Sequence, residues 1–330
     1  MVFTSIPGAR YFSEHERLAT GTGRHGEPPA SNNPLPPGHL WYDLAVILLE
    51  TEGNVVITDI TATDGTLLAQ LLEKATSLGA SYFGVANLTP VRSFVTDLGG
   101  DFLADYPVGV SLGVALADGV VDELHQHLNG NVARTYRHHI YVGVADQLDR
   151  LAARIASAIE VNGYRAIPVP SSGYYDQSKL RGLISHKLVA SLAGHGWIGK
   201  NCLLTTKTHG PRVRWVTILT DAPLTGDGGV PAVVDHCKNC NLCVDLCPVQ
   251  AFTGIKFNPE DPVEVRFDTR KCQQYLRGRE ETHGASVCGI CVHVCPHGWS
   301  MKRKKNAGRT TAHLLRERLA GVANAVSGSP

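Results

Sequence analysis

The stretch Cys237-Lys-Asn-Cys240-Asn-Leu-Cys243-Val-Asp-Leu-Cys247-Pro248 decides how the C-terminal third of this chain folds. Its C-x-x-C-x-x-C-x-x-x-C-P spacing is typical of cysteines that bind a 4Fe–4S cluster. Three thiolates on one tight loop reach three corners of a cubane, whereas the fourth cysteine leaves the loop on a short helix. In proteins with two such clusters, that fourth cysteine binds the neighbouring cluster. The spacing therefore predicts a second cluster beside the first.

A second motif, Cys288-Gly-Ile-Cys291-Val-His-Val-Cys295-Pro296, follows downstream. It lacks the first cysteine of the run, and Cys272 can replace it. Applying the crossed rule to both motifs gives two sets of four ligands. We expect cluster one to be held by Cys237, Cys240, Cys243 and Cys295, and cluster two by Cys247, Cys272, Cys288 and Cys291.

Eight of the nine cysteines belong to these motifs, and the ninth, Cys202, is expected to be a buried spectator thiol. Pairs of C-x-x-C also bind zinc, but zinc needs neither the Cys-Pro endings nor a crossed arrangement. The chain lacks a secretory signal and any apolar run of bilayer length, so we expect a cytoplasmic protein with no membrane partner. Its formal charge of +1 gives no general reason to expect nucleic acid.

Upstream of residue 235, helical patterns alternate with apolar strands, which predicts a layered α/β domain. One helix is expected over Leu67–Ala75, with Thr63 or Asp64 as its cap. A longer helix is expected over residues 142–162. Residues 1–40 are rich in Gly, Pro, Ser and Asn and predict an irregular arm.

The stretch from Ser185 to Leu204 contains Gly-Trp-Ile-Gly-Lys-Asn at residues 196–201. Glycines at this density allow backbone N–H groups to approach a ligand, while Trp197 offers a flat apolar face and Lys200 a cation. The same residues are equally typical of a helix C-cap and turn, with Trp197 in the core. The residues themselves leave both interpretations open.

Gly-Trp-Ile-Gly-Lys-Asn, a strand ending in Thr220-Asp-Ala-Pro-Leu224 and the double cysteine motif together resemble the epoxyqueuosine reductase family, which is related to the reductive dehalogenases. The resemblance covers roughly residues 64–300. It implies an α+β fold, with a nitroreductase-like α/β domain that holds cobalamin (41–230) and a ferredoxin-like double-cluster domain (231–300). A basic tail and short helix follow at 301–330. The resemblance implies cofactor contacts from Ser185, His186, Lys187, Gly196, Trp197, Ile198, Gly199, Lys200 and Asn201.

The family carries an Asp-Tyr-His motif whose Asp is thought to donate a proton, and this chain has Tyr136-Arg-His-His139 instead. A reductive cleavage leaves negative charge that an acid must quench. We therefore take Tyr136, His139 and Tyr175 as catalytic candidates, with Asp176 next.

The resemblance implies a corrinoid-dependent reductase that removes oxygen or halide from a small organic substrate. An external low-potential donor such as ferredoxin or flavodoxin would supply its electrons. The alternative is an electron-transfer or corrinoid-activating protein without an organic substrate of its own. A tRNA partner is not favoured, because the helical-repeat extension of some family members is missing and the basic run 301–305 predicts a solvated tail.

Overall fold

The computed structural model describes residues 56–57, 66–173, 176, 180–226, 236–258 and 261–299. The predicted arm at 1–40, the tail at 301–330 and Tyr175 lie outside these residues. The described residues belong to one compact unit, so the domain boundary at 230/231 stays a prediction. None of the described helices is long and apolar enough to cross a bilayer.

Nine helices and seven strands are described. The strands are β1 Val56–Ile57, β2 Tyr82–Asn87, β3 Val108–Ala115, β4 Ala166–Val169, β5 Trp197–Ile198, β6 Leu204–Thr205 and β7 Val213–Thr220. The helices are α1 Leu67–Ser77, α2 Arg92–Gly99, α3 Asp118–Asp122, α4 Gly130–His138, α5 Val144–Val161, α6 His186–Leu192, α7 Leu242–Asp245, α8 Thr269–His283 and α9 Ile290–His293.

Five strands form one mixed sheet in the order β1-β2-β3-β7-β4. The first two strands are parallel, and the other neighbouring pairs are antiparallel. Strand β7 lies between β3 and β4, and all of its residues are buried. A strand covered on both faces reads as a nearly continuous apolar run, which explains why the Val213–Thr220 stretch is visible in the sequence. Strands β5 and β6 form a separate two-stranded ribbon.

Helices cover both faces of the sheet. Helices α1 and α5 pack on one face, where Leu71, Leu148 and Ile155 meet Val216 and Ile218 in a shared core. Helix α6 packs on the other face with the residues around Leu188 and Leu219. The expectation of a layered mixed helix-and-sheet architecture is therefore confirmed.

The start of α1 corrects one sequence prediction. Thr66 is the cap, and its hydroxyl accepts a hydrogen bond from the backbone N–H of Ala69 at 3.2 Å. The prediction of Thr63 or Asp64 was wrong because all three residues are good N-caps and lie in one short stretch. Geometry alone selects the residue that is followed directly by helical backbone.

The cysteine-rich segment packs against the sheet domain. Its short helices α7 and α9 follow the two cysteine loops, and α8 carries Cys272. Val287 and Val292 belong to the same buried core as α5 and the central strands. The cluster ligands are therefore anchored to the layered domain through shared apolar packing.

Candidate functional site

The first group of thiols lies at the loop before α7. Burial raises the pKa of Cys243 to about 12, and the neighbouring thiols of Cys295, Cys237 and Cys240 add to this shift. Burial, with Cys237 and Cys240 nearby, likewise raises the pKa of Cys295 to about 12. Electrostatic coupling of this kind requires proximity. The structure thus brings Cys295 to the three cysteines of the first motif, as the crossed assignment expects.

The second group surrounds a cavity of about 80 Å³. Burial raises the pKa of Cys288 to about 12, and Cys272 and Cys247 contribute to the shift. The pKa of Cys291 is raised well above its usual value by burial and by the nearby thiols of Cys288 and Cys272. Cys243 and Cys247 contribute further to this shift. The two groups therefore adjoin. The cysteines that line the small cavity are Cys247, Cys272, Cys288 and Cys291.

These thiols surround a volume rather than a point. Within the described ranges, no three His, Cys, Asp or Glu side chains converge as they would on a single metal ion. Each cysteine of a cubane binds a different corner, so its ligands need not converge. Eight thiols in two crossed groups, one of them around a cavity, fit two 4Fe–4S clusters.

Lys200 connects the Gly-Trp-Ile-Gly-Lys-Asn loop to the cluster-one cysteine loop through hydrogen bonds. Its ammonium is buried and donates hydrogen bonds to the carbonyls of Lys238 at 2.9 Å and Cys240 at 3.1 Å. A third bond reaches Asn241 Oδ1 at 2.8 Å. All three donors of the ammonium are used, so this side chain faces the ligand loop.

The neighbours of Lys200 also face the clusters. Asn201 donates to the carbonyl of Cys291 at 3.1 Å. A Cβ placed on Gly199 would lie 3.6 Å from Cys237 Sγ. Trp197 packs against His236, with the ring centroids 4.3 Å apart. The tight backbone at Gly196 leaves no room for a side chain, because a Cβ there would lie 2.1 Å from the carbonyl oxygen of Thr205.

We predict that Lys200→Met lowers the reduction potential of cluster one. Reduction adds negative charge, which the buried ammonium stabilises, so removing that ammonium disfavours the reduced state. A shift of roughly 50–100 mV corresponds to the loss of one nearby charge at intermediate dielectric. Redox titration followed by EPR measures it, and exposed Lys207→Met is the matched control. A potential unchanged in both variants would remove Lys200 from this role.

A second, much larger cavity of about 560 Å³ lies beside α6. Its wall is assembled from distant parts of the chain: the end of β4, the segment leading into α6, β7 and the segment before α8. Of the predicted cofactor-contact residues, Ser185, His186, Lys187 and Ile198 line it. The other five, Gly196, Trp197, Gly199, Lys200 and Asn201, do not line it.

His186 is fixed in the cavity wall by hydrogen bonds to both ring nitrogens. Nε2 lies 3.0 Å from the carbonyl oxygen of Pro170 and must donate to it. Nδ1 then accepts from the hydroxyl of Thr217 at 2.9 Å. Burial lowers the pKa of His186 to about 4, so the ring is neutral. Since both nitrogens are occupied, His186 does not offer a ligand to a metal in the cavity.

Two buried arginines that the sequence analysis missed also line the cavity. Arg214 donates to Ser172 Oγ at 3.0 Å and stacks on the ring of Tyr141. Arg266 is 6% exposed and lies over the ring of Phe257, 4.7 Å from its centroid. The signal for both was an arginine inside an apolar stretch, in Val213-Arg-Trp-Val216 and Val265-Arg-Phe267. A charged residue in such a stretch is rarely buried without a polar partner or a ligand.

The two cavities share part of their walls. Leu203 and Phe267 line both the small cavity among the inner thiols and the large cavity beside α6. Leu203 follows the Gly-Trp-Ile-Gly-Lys-Asn loop, whereas Phe267 precedes Cys272 by five residues. The cluster-two position and a cavity of ligand size therefore adjoin at these two side chains.

The catalytic candidates occupy different places. Tyr136 is 1% exposed and lines the small cavity with Cys288 and Cys291, not the large one. It points there because α4 packs its ring against the backbone of Gly289. His139 Nε2 accepts a hydrogen bond from the backbone N–H of Ala117 at 3.0 Å and lines neither cavity. Tyr175 lies outside the described residues.

Comparison with known proteins supports the presence of two 4Fe–4S clusters. The family of 4Fe-4S double cluster binding domains matches residues 236–298. The epoxyqueuosine reductase of Pseudomonas aeruginosa is 31% identical over 133 residues, which is 40% of this chain and 31% of the relative. That of Cellulophaga algicola is 30% identical over 165 residues, or 48% of this chain and 47% of the relative. The chain therefore spans about a third to a half of these relatives.

Reductive dehalogenases of solved structure show a similar fold. A reductive dehalogenase described as suggesting a mechanism for B12-dependent dehalogenation gives a TM-score of 0.52 at 17% identity, covering 76% of this chain and 35% of that one. An epoxyqueuosine reductase solved with a tRNA stem loop gives only 0.44 at 19% identity, covering 70% and 65%. The thiol groups and these comparisons agree: the chain carries a 4Fe-4S double cluster binding domain and resembles the epoxyqueuosine reductases and the related reductive dehalogenases.

Proposed function

We propose that this chain is a corrinoid-dependent oxidoreductase in which two 4Fe–4S clusters deliver electrons to a corrinoid held in the large cavity. The observation that carries this proposal is the wall shared by the two cavities. Leu203 and Phe267 line both the small cavity among the inner thiols and the large cavity, so the two cavities adjoin at these side chains. A short path of this kind suits electron transfer to a cofactor bound there.

The burial of the two thiol groups gives the electron path a direction. His236, Lys238 and Asn241 of the outer ligand loop are exposed, so cluster one lies near the surface. The inner group is enclosed by apolar side chains such as Phe252, Phe267 and Leu276. Electrons would therefore enter at cluster one from a ferredoxin- or flavodoxin-like donor and leave from cluster two toward the large cavity.

The large cavity suits a corrinoid bound without a protein histidine on cobalt. Among the described lining residues the one histidine is His186, and both of its ring nitrogens are engaged. Its apolar wall includes Leu183, Ile198 and Trp215. A bound corrinoid would supply the reductive chemistry, and these residues would hold it and exclude water. The reductive dehalogenase of similar fold, which is described as acting by B12-dependent dehalogenation, supports the same choice.

The proton donor is proposed on the loop between β4 and α6. Residues 170–173 and 180–188 on either side of Tyr175 line the cavity, which favours Tyr175. Its neighbour Asp176 is the second choice, because it belongs to the same loop but is not among the lining residues. Tyr136 and His139 are less favoured, because neither lines the large cavity. A donor on this loop would quench the negative charge that bond cleavage leaves on the substrate.

The substrate class we favour is a small organic molecule with a reducible carbon–oxygen or carbon–halogen bond. The similarity to epoxyqueuosine reductases makes epoxyqueuosine in tRNA the second candidate. The chain matches only 31% and 47% of the length of the two relatives compared. The remaining alternative is a protein that transfers electrons or reduces a corrinoid for another enzyme. The shared cavity wall is compatible with that role as well.

The test uses anaerobically reconstituted chain loaded with cobalamin and reduced through flavodoxin. It is offered aryl halides, small epoxides and an epoxyqueuosine-containing tRNA stem loop in parallel, and products are identified by mass spectrometry. Release of halide or loss of the epoxide oxygen supports the enzyme and names its substrate class. Rapid corrinoid reduction without product from any substrate would favour the electron-transfer alternative.

A further inference from the structure

Two cations lie on the wall of the large cavity: Lys187, which the resemblance implies as a cofactor contact, and Arg266, which the sequence analysis missed. Lys187 comes from the first turn of α6, and Arg266 from the segment before α8. Both converge on Cys202. The ammonium of Lys187 donates to the carbonyl of Cys202 at 2.8 Å, and the guanidinium of Arg266 lies 4.0 Å from its Sγ.

Neither cation is neutralised by a carboxylate. Among the described residues, no Asp or Glu lies within ion-pair distance of Lys187 or Arg266. Burial lowers the pKa of Lys187, the neighbouring Cys202 thiol opposes this shift, and the nearby Arg266 adds to it. Two like charges held together in a buried wall are costly unless an anion offsets them.

Unused hydrogen-bond donors remain at the same place. Arg266 Nε is buried and has no hydrogen-bond partner among the described residues. The ammonium of Lys187 has three donors, and the bond to Cys202 uses one. A buried donor without a partner is destabilising, and a bound acceptor would remove that cost.

The acidic residues of the cavity lie elsewhere on its wall. Asp97 is exposed, and Asp261 is half-buried and accepts a hydrogen bond from Asn258 at 3.3 Å. Glu264 pairs at 3.6 Å with Arg181, which also lines the cavity. The acids therefore occupy the accessible part and the two cations the buried part, which makes the inner wall positive.

We propose that Lys187 and Arg266 form an anion-binding pair that receives a carboxylate or phosphodiester group of the ligand in the large cavity. The proposal rests on the proposed function, because it assigns a chemical class to the ligand of the same cavity. A carboxylate would belong to an organic-acid substrate, whereas a phosphodiester would belong to the nucleotide loop of cobalamin. Both present paired oxygens that a guanidinium fork matches.

The test measures binding rather than turnover. Cluster-loaded chain is titrated anaerobically by calorimetry with benzoate and with benzamide, its neutral isostere. In a second arm it is titrated with cobalamin and with cobinamide, which lacks the phosphodiester. The variants are Arg266→Gln and Lys187→Met, and Arg154→Gln on the exposed face of α5 is the control. Iron content and circular dichroism verify that each variant is folded and loaded.

For a carboxylate ligand we expect unmodified protein to prefer benzoate over benzamide by about tenfold or more. That preference should disappear in Arg266→Gln and Lys187→Met and persist in Arg154→Gln. For a phosphodiester ligand, Arg266→Gln and Lys187→Met should weaken the binding of cobalamin by a similar factor and leave the binding of cobinamide unchanged. Either pattern supports the pair and identifies the source of the anion.

The proposed anion-binding pair is contradicted if Arg266→Gln and Lys187→Met bind benzoate and cobalamin as the unmodified protein does. It is also contradicted if the unmodified protein binds no anion at all. It is also overturned if the only change is the potential of cluster two, because the cations would then offset the cluster. A chain that retains no corrinoid but prefers benzoate through Arg266 would contradict the proposed function and leave the anion pair standing.

Discussion

Replacing Cys295 by serine is expected to damage the cluster held by the first motif, although Cys295 lies about fifty residues downstream of Cys243. The reason is the crossed arrangement, in which the last cysteine of each motif serves the other cluster. The thiols of Cys237 and Cys240 lie near Cys295. Iron should fall below the roughly eight atoms per chain that two cubanes contain.

The surviving cluster identifies the ligand set. Cys295→Ser and Cys237→Ser should leave the same intact cluster, with one EPR spectrum and one midpoint potential. Cys288→Ser should leave the other cluster, with a different spectrum. Should Cys295→Ser match Cys288→Ser instead, the two motifs would each hold their own cluster, and the crossed assignment would be wrong.

Cys288→Ser is also expected to stop the delivery of electrons to a corrinoid in the large cavity. Cys288 lines the small cavity, whose wall includes Leu203 and Phe267 of the large one. None of the four thiols of cluster one is among the described residues that line either cavity, so we expect cluster two to be the immediate donor. Stopped-flow absorbance of bound cobalamin after mixing with reduced flavodoxin measures the rate, which should fall to that of cobalamin without protein.

Cys202→Ser is the matched control for this experiment. Cys202 is buried beside the inner thiols and is not among the residues lining either cavity. Its replacement should leave eight-iron content and the reduction rate close to those of the unmodified protein. Corrinoid reduction at the full rate in Cys288→Ser would show that electrons reach the large cavity without cluster two.

The cysteine groups were predictable because their spacing along the chain encodes local geometry. Three ligands within seven residues must lie on one loop, and a Cys-Pro ending sets where the fourth points. Strands β3 and β7 were equally visible, since buried central strands are continuously apolar. The positions of α1 and α5 followed from periodicity, whereas the cap of α1 did not, because several neighbouring residues are competent caps.

The direction in which a loop faces was not predictable. Sequence reasoning treated the residues around Trp197 and Lys200 as contacts for a cofactor or as a turn in the core. The structure directs Lys200 and Asn201 toward the cysteine loops instead. A cofactor site and the cysteine loops could each offer hydrogen-bond acceptors to a lysine. Only long-range packing therefore decides which of the two the loop faces.

The large cavity was likewise hidden in the sequence. Lys187, Arg266 and Phe267 come together from segments about eighty residues apart. None of them belongs to a motif with a fixed spacing. Arg266 was detectable only as a charged residue in an apolar stretch, which indicates burial with a partner but does not name the partner.

The central claim is that a chain with two clusters also holds a corrinoid without a protein ligand on cobalt. It is tested most directly by adding cobalamin to cluster-loaded protein, removing the excess by gel filtration and recording the EPR spectrum anaerobically. We expect about one corrinoid per chain and a cob(II)alamin signal without nitrogen superhyperfine splitting, since His186 is fully engaged. Intact clusters with no retained corrinoid, or a signal split by a nitrogen ligand from the protein, would contradict this claim.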